Sequence, residues 1–195
     1  MAKSKIRELQ ETIVQVGLRI AKRGEGALFV IGDVEYSLLI DQSVPPFRAS
    51  DNPKLLESLA LIDGAVIMDK EGIVRAYGAM IKSTHTIKNF GTRHSAAISD
   101  SQKPGNLVII VSEEDKKVRV LKDGKMIIQL DALQKDIEDS VSQAVNVLES
   151  VGAGTIGTIG TSLLVPALGL SLLPGVIVFG SAYYLGKMLT KKYKK

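Results

Sequence analysis

Leu61-Ile62-Asp63-Gly64-Ala65-Val66-Ile67-Met68, continued by Asp69-Lys70-Glu71-Gly72 and then by Ile73 to Ala79, decides how this chain is read. Residues 65–68 are a short, bounded apolar run, the pattern of a strand buried in a sheet. Asp69 to Gly72 is a turn of the usual composition, and Ile73–Ala79 returns as a second strand. Upstream, Asp51 is a capping type of residue with Pro53 in the first turn after it. The helix it opens runs through Leu55, Leu56 and Leu59 to about Ile62. Asp63 therefore stands where a helix hands over to a strand, followed by two small residues.

The same alternation of helix and strand extends in both directions. Residues 5–22 place Ile6, Leu9, Ile13, Val16 and Ile20 at helical spacing. Ala27–Ile31 is another apolar strand, closed by Gly32-Asp33, and Tyr36–Ile40 reads as a further one before Pro45-Pro46 forces an irregular link. Downstream, Leu107–Ser112 is strongly apolar. Val118–Lys122 and Met126–Leu130 flank Asp123-Gly124, a tight hairpin signal. A helix is expected from Asp131, with Leu133, Ile137, Val141, Ala144, Val145 and Leu148 on one face. The expected fold class is α/β: a mixed central β-sheet flanked by helices. The expected organisation is an N-terminal helix (1–24), a central domain (25–130), an amphipathic helix (131–150) and a distinct C-terminal region (151–195).

That last region differs in charge. Residues 150–186 are 37 positions without a formal charge, and five lysines follow at 187, 191, 192, 194 and 195. Setting these five aside leaves 20 of the 25 basic residues against 21 acidic ones, so the body is near neutral. A basic face for nucleic acid is not expected; a lysine cluster beside lipid headgroups is. One straight helix over 150–186 would measure about 55 Å, against about 30 Å of bilayer hydrocarbon. Pro166, Gly169 and Pro174-Gly175 offer a bend. The sequence thus predicts a hydrophobic helical hairpin with arms at about 153–168 and 175–189, inserted in a membrane through residues 151–190. The alternative is an apolar hairpin buried in an oligomer. There is no cysteine, which excludes disulfides and thiolate chemistry. Met1–Gln10 is polar and lacks the apolar core of a signal peptide.

Two segments carry candidate chemistry. At Asp63-Gly64-Ala65, small residues let a ligand approach the backbone, and the carboxylate suits Mg²⁺ or a hydroxyl proton; taken alone, Asp-Gly is more often an ordinary turn. At Gly91-Thr92-Arg93-His94-Ser95-Ala96-Ala97, a turn entering a helix would offer backbone N–H groups to an anion. Arg93 adds a fork of donors suited to phosphate, and the small residues that follow keep the first turn slim. A structural Arg-His pair is the competing reading there. Glu113-Glu114-Asp115 also reads as a solvated turn, and Met80-Ile81 as plain core.

Asp63-Gly64-Ala65, Gly78, Gly91-Thr92-Arg93-His94 with Ala96-Ala97, and Val111-Ser112-Glu113-Glu114 occur in an order and spacing that resemble the diadenylate cyclase (DAC) domain. The likeness covers roughly residues 25–130, with Phe29-Val30-Ile31-Gly32-Asp33 similar to the archaeal branch of that family. Two positions depart from many members: Ser95 stands where bacterial ones have a second Arg, and Ile62 where membrane-bound ones have His. The resemblance implies an ATP-using enzyme that makes cyclic di-AMP across a face-to-face pair of protomers. It implies catalytic roles for Asp63, Arg93 and His94. It implies ATP contacts at Gly64, Ala65, Met80, Ile81, Thr92, Arg93, His94, Ser95, Ala96, Ser112 and Glu113. It implies Mg²⁺ or Mn²⁺ at Asp63 and Glu114. With the apolar tail, the expected location is the membrane, the catalytic body facing the cytoplasm. The competing readings are a membrane-anchored adenine-nucleotide sensor without turnover, and a tail that is pore-forming or purely structural.

Overall fold

The computed structural model describes residues 2–82, 100–152 and 175–178. Helices α1 (Ala2–Lys22), α2 (Pro53–Ala60) and α3 (Val141–Gly152) pack against a nine-stranded sheet. The strands are β1 (Ala27–Ile31), β2 (Tyr36–Leu38), β3 (Phe47–Arg48), β4 (Ala65–Met68), β5 (Ile73–Ile81), β6 (Leu107–Val111), β7 (Lys117–Lys122), β8 (Lys125–Asp131) and β9 (Val176–Val178). Their order is β2-β5-β4-β1-β6-β7-β8-β9, with β3 pairing β5 off this path. β1 and β4 are parallel and the remaining pairs antiparallel, so the sheet is mixed, as the sequence predicts.

The central strands are apolar at every position because both faces of the sheet are covered. Phe29, Met68, Ile109, Val118 and Val120 meet α1, α2 and α3 in one core. Leu28, Val30, Ile67, Val108 and Ile110 are buried on the opposite face. α1 packs closely on the sheet at Gly17, where a Cβ would lie 3.2 Å from Val111 Cγ2. Asp123 and Gly124 both take positive φ in the tight β7–β8 turn. Between β1 and β6 one end of the sheet is closed by Asn106. Its Oδ1 accepts from the Asp33 N–H at 3.0 Å, and its Nδ2 donates to the Asp33 carbonyl at 2.8 Å and to Asp100 Oδ2 at 3.2 Å.

Three boundaries differ from expectation for local reasons. β5 runs on to Ile81 because β2 pairs with its end, Tyr36 opposite Ile81. The N-cap position of α2 is Asn52 rather than Asp51, with no capping bond from its side chain, and the helix stops at Ala60. The helix expected from Asp131 begins a full ten residues later. Asp131 Oδ1 instead accepts the Leu133 N–H, Asp136 adopts a left-handed conformation, and a 3₁₀ turn over Ile137–Ser140 leads into α3. Leu133 consequently stands 70% exposed, off the buried face that Ile137, Val141, Ala144, Val145 and Leu148 do share.

The C-terminal expectation needs a larger correction. Val176–Val178, placed in the second helical arm, is strand β9, antiparallel to β8 with Leu130 opposite Val176 and Ile128 opposite Val178. Without β9 the outer side of β8 would present unpaired backbone groups, and a Val-Ile-Val run suits that position. The Asp131 N–H donates to the Gly175 carbonyl at 2.7 Å and fixes the register. Among the described residues no helix is long and apolar enough to cross a membrane. Residues 153–174 and 179–195, which hold the rest of the expected hairpin, lie outside the described residues.

Candidate functional site

The junction at Asp63 is built by two glycines that touch. Gly64 has φ +107°, and a Cβ there would fall 2.7 Å from the Ala79 nitrogen and 2.8 Å from the Gly78 carbonyl carbon. Both are backbone atoms and cannot move aside, so only glycine fits. Gly78, opposite, has φ +55° in the middle of β5, where the β4–β5 register shifts between the Ala65 and Ile67 pairs. Such a bulge twists the strand and leaves its neighbours free for use. The Asp63 carboxylate emerges exposed at this point, and its Oδ1 accepts the Gly64 N–H at 3.0 Å.

A strap over β5 was not foreseen from the sequence. The Gln42 side chain pairs with the Tyr77 backbone like a strand: Nε2 donates to the Tyr77 carbonyl and Oε1 accepts the Tyr77 N–H, each at 3.0 Å. The Tyr77 hydroxyl accepts the N–H groups of Ser43 at 2.8 Å and Val44 at 3.1 Å. The Ser43 hydroxyl and these amides draw the phenol below its ordinary pKa. The strap brings Ile40 against Gly78, beside Ile62. Pro45-Pro46 signalled only an irregular link; the side-chain anchors have no sequence signature.

At the same end of the sheet, β6 delivers Ser112 to a tight turn. The register sets Ala27 of β1 opposite Val111, and β1 lies between β4 and β6. Two strand spacings, about 10 Å, thus separate the Asp63 and Ser112 positions. Ser112 is buried, its N–H donates to the Lys117 carbonyl at 2.9 Å, and its Oγ accepts the Asp115 N–H at 3.5 Å. Arg119 grips the Asp115 carboxylate with both terminal nitrogens and donates through Nε to Gln129 Oε1 at 3.0 Å. Burial works to raise the Asp115 pKa, but hydrogen bonds from Arg119 and Ser112, with the charges of Arg119 and Lys117, outweigh it and hold the carboxyl below its ordinary value. This clamp fixes the turn from which Glu113 and Glu114 project into solvent.

Asp63, Gly64, Ala65 and Met80 thus gather at the β4–β5 bulge. Ser112, Glu113 and Glu114 stand two strands away at the same end. Met80 is 53% exposed, whereas Ile81 is 8% exposed and packs in the core beside Val30 and Ile67. Thr92, Arg93, His94, Ser95 and Ala96 lie outside the described residues. Among the described residues no group of three or more His, Cys, Asp or Glu side chains is placed to hold a metal ion. Asp63 and Glu114 are exposed carboxylates, hard oxygen donors of the kind Mg²⁺ takes one or two at a time, completing its shell with water and phosphate.

The chain resembles proteins of stated activity. It is 33% identical to the diadenylate cyclase of Haloferax volcanii over 65% of this chain and 52% of that one. It is 30% identical to the diadenylate cyclase of Methanocaldococcus jannaschii, over 66% of this chain and 46% of that one. It is 36% identical to the cyclic di-AMP synthase CdaA of Bacillus subtilis, over 60% and 45%. It spans about half the length of these relatives. The DAC family, described as DisA bacterial checkpoint controller nucleotide-binding, matches residues 16–126, which run from within α1 through the first residues of β8. With more than half of its length matched, including both the Asp63-Gly64 junction and the Ser112 turn, the chain belongs to the DAC family.

Proposed function

We propose that this protein is a diadenylate cyclase that condenses two ATP molecules into cyclic di-AMP and two pyrophosphates. The observation that carries the reading is the Asp63 carboxylate, seated on the Gly64–Gly78 contact at the same sheet end as Ser112-Glu113-Glu114, inside the span the family matches. The relatives' names support the product.

Each protomer would hold one ATP, and two protomers would meet face to face. The 3′-oxygen of one ATP forms a bond to the α-phosphorus of the other, the bond from that phosphorus to the bridging oxygen breaks, and pyrophosphate leaves with the electron pair. The reciprocal attack closes the ring. Such a reaction depends on positioning and on neutralising phosphate charge. Gly64 and Ala65 line the nucleotide in this reading. Asp63 orients the attacking hydroxyl and takes up its proton. The Ser112 hydroxyl and the Glu113 edge line the same end, and Met80 offers an exposed apolar surface to adenine. Thr92, Arg93 and His94 bind phosphate oxygens in this reading, with Ser95 and Ala96 in the slim first turn. Asp63 and Glu114 would hold a divalent ion, Mg²⁺ or Mn²⁺, which when bound supplies further positive charge to the phosphates.

Ser95, where bacterial members carry Arg, favours a second reading: a nucleotide sensor without turnover. Incubating purified protein with ATP and either metal, then separating the nucleotides by chromatography, discriminates the two. Cyclic di-AMP and pyrophosphate are expected in a one-to-two ratio. Saturable ATP binding with ATP recovered intact would establish the sensor. For the apolar sequence on either side of β9, what supports membrane contact is the absence of charge and the closing lysines. Retention of the full chain on vesicles through a high-salt wash tests it.

A further inference from the structure

We propose that the sheet end opposite Asp63 carries a second binding site, for a small amphipathic carboxylate with an apolar body about the size of one ring. A cavity of about 190 Å³ lies there beneath α1, between the end of β1 and the start of β6. Leu9, Ile31, Leu107 and Leu148 supply apolar walls. A dry cavity of about 150 Å³ already admits benzene, so the space suffices for a ring.

Its polar lining is what selects an anion. Lys70 and Lys122 both face this cavity, and neither ammonium has an ion-pair or hydrogen-bond partner among the described residues. Lys70 is folded in over the site, with its Nζ 3.2 Å from where a Cβ on Gly105 would stand. Gln10 completes the lining, and its Oε1 is buried without a hydrogen bond. A half-turn of the amide presents Nε2 instead, a donor suited to a carboxylate oxygen. Two unpaired cations and one orphaned amide above apolar walls match a ligand with one anionic group and one apolar body. They do not match a neutral or cationic one. A polyanion such as a nucleotide phosphate chain would leave most of its charge without partners here. β1 separates this cavity from the Asp63 end by its full five residues, about 16 Å, so a ligand here does not overlap a nucleotide at that end.

The test uses the full-length protein and (4-fluorophenyl)acetate, followed by ligand-observed ¹⁹F line broadening. Saturable one-site binding is expected, with at least about a tenfold loss of affinity for the neutral isostere (4-fluorophenyl)acetamide, since a hydrogen-bonded charge is at stake. The double variant Lys70→Met, Lys122→Met should show a similar loss, with its thermal transition as the folding control. ATP should not displace the probe. No saturable broadening at millimolar probe overturns the proposal, and so does equal binding of acid and amide. Displacement by ATP also overturns it, by placing the probe in the nucleotide site. The isostere comparison needs no variant and decides the matter even if the double variant fails to fold.

Discussion

At the Asp63 end of the sheet, acidic side chains face solvent and the backbone positions them. At the Asn106 end, an acid and an amide are buried and side chains do the positioning. Asp63, Glu113 and Glu114 are exposed, held by a glycine contact and by a clamped turn. Asp100 and Asn106 are almost fully buried and bonded to each other, with Lys103 Nζ 3.3 Å from Asp100 Oδ1. The difference separates two uses of polar groups. A group meant for a charged ligand must stay hydrated until the ligand arrives, so rigidity has to come from the chain behind it. A group meant to close a fold can be buried when partners surround it: Asp100 Oδ2 takes the Asn106 bond, while Asp100 Oδ1, without a hydrogen bond, is faced by the Lys103 ammonium.

The comparison breaks first at Asp63. Asp63→Asn keeps the side-chain size and the Gly64 N–H acceptor but removes the charge. It should lower cyclic di-AMP formation by about 10²–10³-fold while leaving the thermal midpoint within experimental error of wild type. Wild-type turnover in that variant, measured by product chromatography, would remove Asp63 from the site.

Gly64→Ala tests whether backbone contact positions the site. The added Cβ would meet the backbone of Gly78 and Ala79 at a positive φ. A loss of roughly 3 kcal/mol in denaturant stability is expected, together with loss of ATP binding. A stable variant with intact ATP affinity would show that the two-glycine contact is dispensable.

For the buried pair at the far end, the expected effects are on stability. Asn106→Ala deprives the Asp33 backbone and the Asp100 carboxylate of their bonds and should cost about 2 kcal/mol. Asp100→Asn should behave differently. Burial raises the Asp100 pKa, with Lys103 and Asn106 acting against it. Because the folded value exceeds the unfolded one, the native state is favoured at low pH and loses stability as pH rises from about 3.9 through the raised value. Asp100→Asn should flatten that fall, so the variant gains on wild type between pH 4 and 7 in thermal melts. A gap that stayed constant over that range would show that Asp100 does not titrate in it.

The smallest effect is at the Asp115–Arg119 clamp, and its sign is opposite. The Asp115 pKa is depressed, so its contribution is present above the unfolded carboxylate value of about 3.9 and fades as pH falls through the folded one. Asp115→Asn should cost about 0.5 kcal/mol at pH 7, as exposed ion pairs do, and nothing once the wild-type carboxyl is protonated. Because the clamp holds the Glu113-Glu114 turn, turnover should fall by more than the stability change alone would suggest. An unchanged rate would make the clamp purely structural.

Much of this molecule is written in its local sequence. A period-3.6 pattern places α1, short bounded apolar runs place β1, β4 and β6, and the Asp123-Gly124 turn signal places the β7–β8 hairpin, because each element buries its own apolar residues whatever lies beyond it. Asp63-Gly64-Ala65 and Ser112-Glu113-Glu114 are weaker signals: taken alone each reads as an ordinary turn, and only their order and spacing along the chain, which resemble the DAC domain, mark them as candidates. Contacts between distant segments were decided only by tertiary structure. Gly78 is marked in the sequence only by its place in the family pattern; its physical reason, the backbone contact with Gly64, appears only in the fold. Gln42 becomes a surrogate strand only beside Tyr77, and Arg119 a clamp only when the β6–β7 turn brings Asp115 to it. The Val176–Val178 segment shows the same limit from the other side. Its apolar composition suits a helix in lipid and a strand in protein alike, and the open edge of β8, 45 residues earlier in the chain and invisible in the local pattern, selects the strand.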